Sequence, residues 1–196
     1  MSGACARFCW RCGVPHAREP PPPRYCAQFL QAAFGGAAGP APTVAGATAS
    51  LDPTTGHDVH VAAQIKFGDA GFGSLECSLR HVSPRAASIN GTKGVIRVPY
   101  PFWCPTRLTV QTMTGPGSQQ WSDEAVHDFP LPPDVGPPPG GYPFVFVNSQ
   151  GLAYEALEVE RCLREGLTES PQFGVEENGR VMGTISDLRA TWAKGS

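Results

Sequence analysis

Cys5, Cys9, Cys12 and His16 bring three thiols and an imidazole into one short N-terminal stretch. These are the donor types that close a tetrahedral zinc site. Their spacing, C-x3-C-x2-C-x3-H, is more compressed than that of the common zinc modules, and no core surrounds the segment. A flexible leader without metal is expected there. His57, His60, His81 and His127 fall in no H-E-x-x-H or other paired metal-ligand pattern. They are expected as surface or half-buried side chains, and no metal site is assigned. "GDAGFG" at 68–73 and "GTKG" at 91–94 are glycine clusters of the kind a phosphate cradle needs. Each joins two strands and has no helix N-terminus to hold an anion, so both read as turns. Neither G-x-G-x-x-G, a Walker-type turn nor a G-x-S-x-G elbow occurs. The acids and arginines of "YEALEVERCLREG" read as the solvated face of an amphipathic helix.

The whole chain narrows the classes further. Its 196 residues carry a formal net charge of −2, so no basic field draws it to nucleic acid or anionic membrane. No apolar run approaches the ~20 residues that span a bilayer. Seven cysteines are an odd number, and their scatter reads as reduced thiols in a cytoplasmic protein. Glycine and proline, at 23 and 21 residues, predict long turns.

The elements that must position any site follow from periodicity. Residues 1–24 have no sustained period and end in Pro20 to Pro23 and Arg24, which marks them as a flexible Cys/Arg/Pro-rich leader. A helix follows, with Tyr25, Phe29, Ala32 and Ala33 on one face and Gly35-Gly36 as its stop. Strands are expected at 43–50, 57–67 and 74–81. In the second, Val59, Val61, Ala63, Ile65 and Phe67 alternate inward. His60, Ala62, Gln64, Lys66, Ser74, Glu76, Ser78 and Arg80 are left on the opposite face. Further strands are expected at 86–90, 95–98, around Leu108 and Val110, near 126–129, and at "PFVFV". Two helices close the chain, with stripes Leu152, Ala156, Val159, Leu163 and Val181, Ile185, Leu188, Trp192. The fold class is α+β: an open, mostly antiparallel sheet with helices packed on one face.

"YCAQF", "CSLR", "INGTKGVIRVPYPFWCPTRL", "GLAYEALEVERCLREGLTESP" and "MGTISDLR" recur in register from Tyr25 to about Trp192. In this order and spacing they resemble the C-terminal domain of the Gfo/Idh/MocA oxidoreductases, in the branch that acts on dihydrodiols and aldopyranoses. The resemblance implies a substrate and dimerisation domain over 25–196. It also implies an NADP-dependent dehydrogenase in the intact family, with small diol or sugar substrates. The family's glycine-rich turn and E-K-P motif have no counterpart here, and "PPPPR" stands where L-L-D-x-G is expected. The expectation is a C-terminal half without the Rossmann domain, inactive by itself and binding no NADP alone. The alternative is a non-catalytic association module. By position, Tyr25 matches the family's proton-transferring tyrosine, and Trp103 and Phe146 match residues that line the substrate pocket. A homodimer through the open sheet face is implied as well.

Overall fold

The computed structural model describes residues 4–11, 23–115, 120–132, 144 and 146–193. In chain order the elements are β1 (Ala4–Arg11), α1 (Arg24–Ala33), β2 (Thr43–Leu51), β3 (Asp58–Phe67), β4 (Gly71–Ser78), β5 (Ala87–Gly91), β6 (Gly94–Val98), β7 (Arg107–Thr112), β8 (Ala125–Asp128), α2 (Leu152–Glu165) and α3 (Val175–Trp192). The strands form one 8-stranded sheet in the order β2-β3-β4-β1-β5-β6-β7-β8. All pairs are antiparallel except β1 with β4, so the α+β expectation holds.

β1 corrects the reading of the N-terminus as a flexible leader. It lies inside the sheet, with Ala6 opposite Gly73 of β4 and Ile89 of β5. The missed signal is a period of two: Ala4, Ala6, Phe8 and Trp10 alternate with Cys5, Arg7, Cys9 and Arg11. The neighbouring prolines obscured it. Cys12, His16 and Pro20 to Pro22 lie outside the described residues.

The core sits on one face of the sheet. Val61, Ile65 and Phe67 of β3, Leu75 and Cys77 of β4 and Leu30 of α1 are almost fully buried. Each buried Leu, Ile or Phe contributes about 1.5–3 kcal/mol relative to an exposed one. Phe34, just past α1, stacks on Phe67 with centroids 4.3 Å apart. Of the α3 stripe, Leu188 is buried in this core with Trp192 packed against it, while Val181 and Ile185 are buried with Ala27 of α1 in a second cluster.

Three local expectations fail. The inward face of α1 is Cys26, Ala27 and Leu30, one position away from the expected Tyr25, Phe29 and Ala32 face, and Tyr25 is exposed. The stripe on α2 is not covered by the other described residues: Leu152, Ala156, Val159 and Leu163 are all exposed, and Cys162 is the helix's one buried side chain. α2 forms because straight-chain residues fill it and ion pairs lace its turns, such as Arg164 to Glu160 at i,i+4. It ends at Gly166, whose φ of 70° is left-handed, as its sequence position suggests. Finally, Phe146 and Val147 of "PFVFV" lie in a bend and a turn rather than a strand, while Pro143 and Val145 are outside the described residues.

Candidate functional site

β5 and β6 lead the chain past one end of the sheet, where the loops before β5 and after β6 converge. Phe102 N–H donates to the Arg85 carbonyl at 3.3 Å and ties the two loops together. Arg85 holds a left-handed φ of 52°, unusual for a residue with a side chain. Its guanidinium lies 4.4 Å from the ring centroid of Tyr100 and 5.8 Å from that of Trp103. Those two rings meet edge to face at 5.4 Å. The arrangement is a cation set over two aromatic faces, with the buried Nε of Arg85 finding no hydrogen-bond acceptor among the described residues. It can accept an anionic or oxygen-rich group.

Trp103 is also fixed from the far side. Its Nε1–H donates to the Val147 carbonyl at 3.2 Å, and Asn148 Nδ2 donates to the Cys104 carbonyl at 2.9 Å. Asn148 itself has a left-handed φ of 62°. Phe146, exposed, stands next to the residue that holds the indole. The structure thus brings Trp103 and the Phe146 segment together. Burial raises the Cys104 thiol above its ordinary range, so it sits in this wall as a protonated, weakly polar group. Tyr25 is exposed on α1, and it is its neighbour Cys26 that is buried in the core cluster to which Phe102 belongs. Arg85 and Tyr100 are not singled out as site residues by the sequence, although Tyr100 lies within the "INGTKGVIRVPYPFWCPTRL" segment that carries the family resemblance.

A second polar cluster lies on the other face of the sheet. His60 of β3, Glu76 of β4 and His81 just beyond β4 bring their donor atoms within 4.8 Å of one another. His60 is half-buried and His81 exposed, as expected, but their convergence on one carboxylate was not foreseen. The signal lay in the alternation, which already set His60 and Glu76 on one face; the turn that returns His81 was not visible. Ser78, expected on an open face, is buried there and bonded to His81. On that face a hollow of about 1070 Å³ has Gln64, Ser74, Glu76 and Arg97 in its wall.

Cys26, Cys77, Cys104 and Cys162 are free thiols, and Cys26 and Cys77 face each other in the core. No helix of the described residues is long and apolar enough to cross a membrane.

No family model matches the chain. Curated relatives do. Human trans-1,2-dihydrobenzene-1,2-diol dehydrogenase is 32% identical over 168 residues, covering 84% of this chain and 43% of the relative. The rabbit (Oryctolagus cuniculus) enzyme of the same name is 30% identical over 165 residues, covering 84% and 44%. The chain therefore spans less than half the length of the curated relatives it matches. Among solved structures, a 3-ketoreductase from Actinomadura kijaniata, in complex with NADP and TDP-benzene, superposes with a TM-score of 0.63 at 13% identity, over 96% of this chain and 53% of that one. An aldose-aldose oxidoreductase from Caulobacter crescentus gives 0.63 at 12% identity, over 99% and 54%. These structures share the fold, and the dehydrogenases share the sequence. The chain is a C-terminal domain of the Gfo/Idh/MocA-type oxidoreductases, related to trans-1,2-dihydrobenzene-1,2-diol dehydrogenase.

Proposed function

We propose that residues 25–196 are the substrate-side and association half of an NADP-dependent oxidoreductase acting on dihydrodiols or aldopyranoses. We also propose that a polypeptide of these 196 residues does not turn over without a nucleotide-binding domain. The observation that carries the reading is the homology: 84% of the chain aligns with the dehydrogenases, yet only 43% of the human one is matched. The sequence holds no glycine-rich fingerprint for a pyrophosphate. NADP, when held by such a domain, supplies the hydride acceptor. The residues here bind and orient the substrate and move its proton. Trp103 and Phe146 offer apolar walls, and Arg85 offers a cation over Tyr100 and Trp103. Tyr25 takes the role of proton carrier at the substrate hydroxyl. The free thiols support a reducing, cytoplasmic setting.

The test has two arms. The chain alone, given NADP and D-xylose or a dihydrodiol, is expected to form no reduced cofactor. Fused behind the nucleotide-binding domain of a relative, it is expected to turn over, and Tyr25→Phe to cut that rate by about 10²-fold or more. Turnover by the isolated chain, or an unimpaired Tyr25→Phe fusion, would overturn the reading.

One observation favours the non-catalytic association module as a second reading. Leu157, Val159 and Leu163 of α2 are exposed with no cover from the rest of the described residues. A fusion that folds and associates but never turns over would select it.

A further inference from the structure

We propose that His60, Glu76 and His81 form a zinc-binding site on the outer face of β3 and β4. The register builds it. His60 pairs with Ser78, and Ala62 pairs with Glu76, so His60 and Glu76 are diagonal neighbours on one face. Past the end of β4 the chain turns back. The backbone N–H groups of Arg80 and His81 donate to Ser78 Oγ at 3.0 and 3.2 Å, and the turn swings the His81 ring over the strands.

The result is convergent. His60 Nε2 and His81 Nε2 each lie 3.1 Å from the same oxygen, Glu76 Oε1. The two rings stand at 89° with centroids 4.6 Å apart. Tetrahedral zinc, with bonds of about 2.0–2.2 Å, spaces neighbouring donor atoms about 3.3–3.6 Å apart. Each His-to-Glu76 separation needs to open by only a few tenths of an ångström, and all three donor atoms already lie within 4.8 Å of one another. Two imidazoles and a carboxylate suit a borderline-soft cation and not a hard one such as calcium or magnesium. Glu76 and His81 have side chains 42% and 45% exposed, so the ion can enter from solvent and a water can complete its coordination.

The outer shell is in place too. Ser78 Oγ lies 2.9 Å from His81 Nδ1 and is fully buried. Without metal, Nε2–H donates to Glu76. Ser78 Oγ, which already accepts from the backbone N–H groups of Arg80 and His81, holds the ring in this orientation through Nδ1.

The test uses the full chain carrying Cys5→Ser, Cys9→Ser and Cys12→Ser, which removes competing N-terminal thiols. Stripped with chelator, it is titrated with zinc against a chromophoric chelator, and separately with cobalt. One equivalent is expected to bind, and cobalt to show visible d–d bands without thiolate charge transfer. His60→Ala and His81→Ala are each expected to weaken binding at least as much as Ser78→Ala, about 10–100-fold. His81→Gln, on an exposed turn, guards against misfolding: zinc is expected to raise the thermal midpoint of the parent and not of this variant. Unchanged affinity in the His60→Ala/His81→Ala double variant would overturn the site. So would an equal zinc-induced midpoint shift in His81→Gln.

Discussion

Leu30 of α1 fills the space beside Gly73 of β4, so that a β-carbon on Gly73 would stand 2.5 Å from Leu30 Cδ2. The helix lies on the sheet because that position is empty. Gly73→Ala is therefore expected to lower stability by about 1–3 kcal/mol through overpacking. Leu30→Ala is expected to cost about 2–5 kcal/mol through the cavity it leaves. Together they should cost less than their sum, because the new methyl occupies part of the lost leucine volume. Urea unfolding of the three variants measures the coupling, and strict additivity would contradict the contact.

Much of this architecture was legible because it is periodic. The alternation of Val59 to Phe67 gave β3 and its buried face, and Gly166 marked the end of α2. What alternation cannot give is the set of partners a strand finds. β1 is an ordinary period-two run whose neighbours lie far along the chain, and its proline-rich flank masked it. The apolar stripe of α2 was visible, but a stripe says only that a face wants cover. The candidate site divides in the same way. Trp103 and Phe146 came from the family resemblance. Arg85 came to light only through a left-handed backbone and a stacking distance, and neither leaves a mark on residue type.

β1 sits between β4 and β5 and supplies hydrogen bonds to both. Removing residues 1–11 should leave both neighbours with an unpaired edge and the sheet interrupted at its middle. The shortened chain is expected to unfold at lower urea concentration and to aggregate more readily. Native-state hydrogen exchange gives the local answer: amides of residues 72–78 and 87–90 should lose protection first. Unaltered protection there would mean that β1 does not contribute to the folded sheet.

Glu158 joins the last turns of α2 to the loop that follows. Its carboxylate accepts from Arg161 Nε and Nη2, both at 2.9 Å, and from Ser170 Oγ at 2.5 Å. Arg161 first, then Ser170, hold its pKa down to about 2. A carboxyl that is more acidic folded than unfolded binds fewer protons in the native state. Its contribution is complete above the ordinary carboxylate range of about 4.3 and is lost as pH falls toward 2. Glu158→Gln should thus lower the thermal midpoint at neutral pH, with the gap to the parent closing as the solution is acidified. A gap that stays constant down to about pH 3 would show that the carboxylate charge is not what matters.

The outer face of β3 and β4 bears on association. It carries Gln64 and Lys66, exposed, beside the half-buried His60 and Ser74, with exposed Arg80 in the turn just past β4. That surface is mixed in character, and no helix of the described residues covers it. In a symmetric dimer this patch would meet itself, and the hollow beside Glu76 would hold interfacial water rather than apolar contacts. Two-fold symmetry sharpens the test, since every substitution enters the interface twice. Lys66→Glu and Arg80→Glu together would add like charge on both sides of the axis and near the Glu76 of each copy. The parent chain is expected to sediment as a dimer at micromolar concentration, and the double variant as a monomer whose salt dependence is reversed relative to the parent. The exposed stripe of α2 should add slow, salt-insensitive aggregation at higher concentration, which Leu163→Glu should suppress without changing the dimer. A parent that runs as a clean monomer, or a double variant that dimerises as the parent does, would place the association surface elsewhere.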